Sequence, residues 1–229
     1  RQEYEATFEN FSGRVYYAFD RRTNVRAWTE PPRPIRDLLI GIDFNIDPIT
    51  AVIGSRTGED LHIIDEIRIF GSNTDELVDE ITTRYPEKNI ICYPDPSGQS
   101  RKTAAAGRTD HSILRTAGFR VIAPAAHRPV RDGVNAVNSR LMNSTGEIHL
   151  FIDPKCKYLI ECLEKHTYRA GTNQPDKDSG FDHMTDALRY MTETLFPLRA
   201  PGQINANQMW GHSISPSRTA PIHRTFPVR

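Results

Sequence analysis

Between Asp37 and Leu195 the apolar residues repeatedly change their period, and the order of those changes limits the folds open to the chain. "DLLIGIDFNIDP" reads as a strand through about Phe44. "TAVIGSRTGEDLHIIDEIRIF" holds two further runs, Ala51 to Gly54 and Leu61 to Phe70, around a turn at Arg56 to Glu59, which predicts a hairpin. "NTDELVDEITTRY" opens instead on a capping residue and sets Leu77, Val78 and Ile81 on one face, so it predicts a helix. Strand-like "KNIICYP", "FRVIAP" and "EIHLFID" then alternate with helix-like "DHSILRTAG", "RDGVNAVNSRLMN" and "KCKYLIECLEKH", and "FDHMTDALRYMTETLF" closes the series as a helix. An antiparallel start followed by strand–helix alternation predicts an α/β fold, a mixed sheet with helices on its faces. No internal repeat is visible.

The flanks differ from this region. Residues 1–36 hold apolar anchors (Phe8, Phe11, Val15, Tyr16, Tyr17, Phe19) and then the Pro-rich "EPPRPIRD", which cannot continue a helix or a central strand. They read as a lead-in or linker that docks on something. Residues 37–197 are expected to form the folded domain. Residues 198–229 turn to Pro, Ser, Asn, Arg and Gln without periodicity and read as a flexible tail.

A chain of 229 residues is long enough for one well-buried domain. No run of about 18 apolar residues occurs, so no membrane span is expected. The polar start at Arg1 is no signal peptide, and the absence of Met there suggests a fragment of a longer polypeptide. Cys92, Cys156 and Cys162 form no CxxC pair and no even framework, which fits a reducing, cytosol-like compartment. The formal net charge is zero, so composition alone gives no sign of a nucleic-acid partner.

Two strand-like runs end on aspartate. Asp43 closes the first, and Asp95, between Pro94 and Pro96, closes the fourth. Asp182 stands at the start of the closing helix with Asp186 one turn on, along the same face. A divalent cation such as Mg²⁺ takes hard oxygen ligands and keeps several waters, so two or three converging carboxylates suffice to hold it. A pair of such ions about 4 Å apart suits in-line phosphodiester hydrolysis. Each residue also has a structural explanation: Asp43 an ordinary strand end, Asp95 a turn former, Asp47 before Pro48 another, Asp182 an N-cap, Asp186 an ion-pair partner of Arg189 or Arg101. Glu66 on the third strand is a further candidate, and His183 beside Asp182 could move protons, shape the site or lie on the surface.

From Gln99 to Arg140 there are eight basic residues against Asp110 and Asp132 alone. Seven of the eight are arginine, whose planar fork suits phosphate. Arg101 and Lys102, directly after the Asp95 turn, and Arg140 are the candidates for contact with a nucleic-acid backbone. No base-reading motif appears, so little sequence specificity is expected. "GQSRKT" lacks the Gly-Lys-Ser/Thr ending of a phosphate-binding loop, so ATP binding is not expected, and GxSxG and HExxH are absent.

"LLIGIDFNIDP", "CYPDPSGQSRKT", "GFRVIAPA", the stretch from "RDGVNAVNSRLMN" through "IHLFIDPKCKYLIECLEKHTYR", and "FDHMTDALRYM" together resemble the nuclease domain of the large terminase subunit of tailed bacteriophages. The resemblance runs from about Leu38 to Leu195. It implies an RNase H-like mixed sheet with helices on both faces, and a metal-dependent endonuclease that cuts concatemeric double-stranded viral DNA during packaging. It carries the catalytic and metal-binding roles onto Asp43, Asp95 and Asp182, with two Mg²⁺ or Mn²⁺ ions. Asp186 is an accessory ligand candidate, and Asp47 and Glu66 are alternatives to it. The opening segment looks like the family's link to an upstream ATPase domain, which is missing here. Double-stranded DNA, the portal and the small terminase subunit are the implied partners, with no membrane, and the host cytoplasm is the implied setting. The rival readings are another RNase H-like nuclease, such as a resolvase or transposase core, and a non-catalytic module that binds DNA or portal.

Overall fold

The centre of the molecule is a strand buried on both sides. In a computed structural model, which describes residues 13–31, 35–100 and 108–198, β1 (Asp37–Asp43) is buried at every residue after Asp37. Burial on both faces is what a nearly unbroken apolar run requires of a central strand. Its neighbours are β2 (Ile49–Thr57), antiparallel, and β4 (Asn89–Pro94), parallel. β3 (Asp60–Ile69) folds back on β2 through a turn in which Gly58 takes φ +62°, a conformation other residues rarely adopt. β5 (Arg120–Val121) and β6 (Leu150–Ile152) add parallel edges, giving the order β5-β4-β1-β2-β3-β6.

Helices cover both faces. Leu38, Ile40 and Ile42 point to the side of α2 (Thr74–Arg84) and α3 (Asp110–Thr116), where Leu77, Ile81 and Leu114 meet them. Leu39, Val52 and Tyr93 point the other way, into a core with α4 (Val130–Leu141), α5 (Lys157–Lys165) and α6 (Asp182–Leu195). The α6 axis crosses β1 very closely: a Cβ on Gly41 would lie 2.1 Å from the Ala187 carbonyl oxygen. Only a residue without a side chain allows the helix to rest there.

The expected strand at "FRVIAP" is shorter than its apolar pattern. Ile122 N still donates to Cys92 O at 2.9 Å, but Pro124 has no N–H for the ladder, and its carbonyl accepts from Gln99 Nε2 instead. The described part of the lead-in, residues 13–31, is built into the same compact unit as the sheet. Val15, Tyr16 and Phe19 are buried with α4, α5 and α6, and a short helix, here α1 (Arg21–Asn24), is capped by Asp20. Asn138 of α4 holds the segment by donating to Val15 O and accepting from Ala18 N. Arg26 N then donates to Ile152 O, so the chain covers part of the otherwise open β6 edge. Phe8, Phe11, Arg101, Lys102 and residues 199–229 lie outside the described residues. Among the described residues, no helix is long and apolar enough to cross a membrane.

Candidate active site

Strand alternation aims two carboxylates at one helix. Asp43 shares a face with Leu39 and Gly41, the face on which α6 rests. Asp95 follows Pro94, whose register partner is Ile42, and Asp95 N donates to Ile42 O at 2.9 Å. The two aspartates thus close adjacent parallel strands on the same side. The Pro94–Asp95–Pro96 sequence ends β4 because Pro96 has no donor to extend it, and a 3₁₀ turn (Pro96–Gln99) begins at once. Asp95 caps that turn: its carboxylate accepts from Ser97 N at 2.9 Å and Ser97 Oγ at 2.7 Å. The buried His111 ring bonds the Asp95 carbonyl at 2.9 Å and fixes the backbone from below.

Helix α6 brings Asp182 and Asp186 to the same place. All four aspartates line one open cleft of about 540 Å³, together with Asn45, His127, Lys177, His183 and Tyr190. Each of the four is at most 9% exposed, so their charges are only partly hydrated. Burial pushes the Asp43 carboxyl above the ordinary carboxylate range. The hydrogen bond from His183 Nδ1 to Asp43 Oδ2, at 3.2 Å, pulls it back, while the charges of Asp186 and Asp95 add to the rise. The same hydrogen bond raises the pKa of His183, against the effect of its own burial. Asn45 Nδ2 lies 3.1 Å from the His183 ring, and Thr50 Oγ1 donates to His183 O, so the imidazole is held from two sides.

The four carboxylates are not equivalent. Asp186 Oδ1 accepts from Arg189 Nε at 3.0 Å, and Arg189 continues to Glu193 in a buried chain. This is the ion pair that the i,i+3 spacing allows, and it leaves Oδ2 towards the cleft, 3.6 Å from Lys177 Nζ. Asp182 Oδ1 is buried and without a hydrogen-bond partner among the described residues. His183 Nε2 stands 3.7 Å from it, close enough for an ion pair but without a hydrogen bond. A buried carboxylate oxygen that accepts no hydrogen bond is costly, and a cation at the cleft would relieve that cost. The hard oxygen donors, their mutual repulsion and this oxygen without a hydrogen bond fit a divalent ion of the Mg²⁺ type. Among the described residues, no three carboxylate, imidazole or thiol groups already surround one point as a finished ligand set. An ion here would therefore take part of its shell from water or substrate oxygens.

The other candidates go elsewhere. Glu66 accepts from Tyr158 N and Leu159 N at 2.9 and 2.8 Å, so it caps the start of α5 rather than reaching the cleft. Asp47 is exposed in the loop before β2 and does not line the cleft. Arg140, expected to touch a nucleic-acid backbone, is not brought to the cleft. It sits where the β2–β3 turn lies, the end of the sheet away from Asp43, because its Nη2 is bound to Glu59 O at 2.7 Å and Glu59 Oε2 at 2.9 Å. The ring of Phe196 lies 3.7 Å below its guanidinium carbon. Sequence reasoning misses Asn45, His127, Lys177 and Tyr190. His127 Nε2 is 3.3 Å from Asp95 Oδ1, and its signal is a histidine inside the basic stretch, where a count of arginine and lysine alone passes over it. Lys177 comes from a polar loop with no periodicity to mark it.

No family model and no curated protein matches the chain. Solved structures do. The large terminase of a thermophilic bacteriophage, in complex with ATP-gamma-S, is 23% identical with a TM-score of 0.63, over 80% of this chain and 46% of that one. The P22 large terminase nuclease domain is 14% identical with a TM-score of 0.60, over 79% of this chain and 91% of that one. The large terminase nuclease from thermophilic phage G20c, with bound magnesium, is 15% identical with a TM-score of 0.56, over 79% and 97%. The fold is therefore the RNase H-like fold of large terminase nuclease domains. The chain spans about half the length of the first of these proteins, at 46%.

Proposed function

We propose that this chain is a divalent-metal-dependent endonuclease acting on double-stranded viral DNA during genome packaging. The observation that carries the reading is the convergence of Asp43 and Asp95, from adjacent parallel strand ends, with Asp182 from α6, in a fold shared with terminase nucleases. Asp43, Asp95 and Asp182 would hold two Mg²⁺ or Mn²⁺ ions, with Asp186 offering Oδ2 from the second row. Such an ion supplies Lewis-acid polarisation of a phosphoryl oxygen and a more acidic water for in-line attack. The chain's own residues set the geometry. Ser97 orients the Asp95 carboxylate, His183 orients that of Asp43, and the Asp95 backbone, held between two prolines, needs little further ordering. Lys177 and His127, which line the cleft beside Asp186 and Asp95, would turn to phosphate oxygens when DNA binds. Cutting would have little sequence specificity, because the sequence carries no base-reading motif. In the whole protein, an upstream ATPase domain, the portal and the small terminase subunit would be the working partners, in the host cytoplasm.

The test is nicking and linearisation of supercoiled plasmid with Mn²⁺, with Mg²⁺ and with EDTA. Metal-dependent cutting that falls at least a hundredfold in both Asp95→Asn and Asp182→Asn, with both variants folded, is the expected outcome. Cutting that survives EDTA, or variants as active as the parent, would remove the carboxylate cleft as the active site. Binding without cutting would favour a DNA-binding module.

A further inference from the structure

We propose that the groove between the start of α4 and the 168–177 loop is the track on which the DNA backbone leaves the carboxylate cleft. The proposal rests on the nuclease reading above and assigns the substrate's path to a surface of its own. The groove, about 630 Å³, lies beside the cleft, and Lys177 lines both. Arg14, Arg131, Arg169 and Lys177 stand in its walls with Tyr17 and Tyr168, and among the described residues no carboxylate lines it, Asp176 and Asp178 reaching only Arg169 from outside. The cleft itself carries four aspartates. A surface that is anionic where metal is needed and cationic immediately beyond separates the two demands of a phosphodiester substrate: ions at the bond being cut, guanidinium and ammonium groups at the phosphates that follow.

The charges in the groove are not all equally available. Arg169 is matched by Asp178 at 2.8 Å and Asp176 at 3.6 Å, and Lys177 faces Asp186 across 3.6 Å. Arg131, by contrast, is exposed on the first turn of α4 and has no ion-pair partner among the described residues. Surface arginines near acidic neighbours usually find a carboxylate. Arg131 stands beside Tyr168 in a wall that supplies none, which leaves its planar fork available to a phosphate. Tyr17, half exposed, offers an aromatic flank to the sugar side of the same strand.

The experiment measures the anisotropy of a fluorescein-labelled duplex of random sequence, titrated with the full chain in EDTA over a NaCl series. Arg131→Ala and Arg131→Glu are compared with Arg115→Ala, which removes an exposed charge from α3 on the opposite face of the sheet. Loss of one phosphate contact lowers the slope of log K against log salt by about 0.9. We expect that change in Arg131→Ala, a larger loss of affinity in Arg131→Glu, and the parent slope in Arg115→Ala. With Mn²⁺, Arg131→Ala should need more DNA for half-maximal cutting but reach the parent's maximal rate. Equal slopes for the parent and both Arg131 variants, in a protein that still cuts DNA, would overturn the track and leave the nuclease reading intact. Equal losses in Arg131→Ala and Arg115→Ala would mean diffuse attraction and would also overturn it. A parent that neither binds nor cuts DNA would overturn both together.

Discussion

Asp43 shows how single residues here trade stability for a site. Its carboxyl is held above the ordinary range by burial first, with the hydrogen bond from His183 opposing the rise. Such a group contributes stability that is fully present below the ordinary carboxyl pKa and is lost as pH rises through the raised folded value. In EDTA, Asp43 should therefore contribute a fall in the thermal midpoint as pH rises out of the acid range. Asp43→Asn should remove that part of the fall and melt higher than the parent near neutral pH, while abolishing cleavage. A melting point below the parent's at neutral pH would contradict the assignment of burial as the dominant cause. Glu66 makes the opposite case. Because it caps α5 through two backbone amides, Glu66→Ala should cost about 1–2 kcal/mol in urea unfolding. It should leave metal-dependent cutting within about twofold of the parent. A collapse of cutting with unchanged stability would return Glu66 to the list of ligands.

At the level of elements, the placement of α6 over β1 decides whether the carboxylates meet. Gly41→Ala would drive a methyl group into the Ala187 carbonyl, so helix and strand must separate. Overpacking of this kind costs about 1–3 kcal/mol, occasionally more. Asp182 and Asp186 ride on the displaced helix, so cutting should fall by at least tenfold even at temperatures where the variant remains folded. A variant destabilised but fully active would show that the cleft tolerates a shift of α6. The strands and helices themselves were legible in the sequence, because their apolar periods are set by burial on one or both faces. So was the position of Asp43 and Asp95 at strand ends, since both follow apolar runs; that the two strands are parallel neighbours was not. Other features depend on contacts that no period encodes. The capping role of Glu66 needs α5, which comes about ninety residues later, to present its amides. The grip of Arg189 on Asp186 was one of two pairings left open, the other being with Arg101. Arg140 reads as a surface cation until Phe196 and Glu59 fold onto it. His127 and Lys177 lie on loops, and only the fold brings them beside the aspartates.

For the whole molecule, the described part of the lead-in, residues 13–31, packs into the domain's core. Val15, Tyr16 and Phe19 are each at most 2% exposed, and burying side chains of this size contributes about 1.5–3 kcal/mol apiece. That sum is comparable to the total stability of an ordinary domain, about 5–15 kcal/mol. A chain beginning at Arg36 should therefore be largely unfolded or aggregated at 37 °C by circular dichroism and size exclusion; a monomeric, cooperatively melting product would show that the sheet closes its core without this segment. The close crossing at Gly41 also shapes what a survey of variants would record. If every position were substituted and scored only for retained cleavage, Gly41 would rank with the aspartates among the least replaceable residues. It contributes no proton, no ligand and no charge. Its intolerance would come from the absence of a side chain, and a ranking by tolerance alone would count an empty space as part of the chemistry.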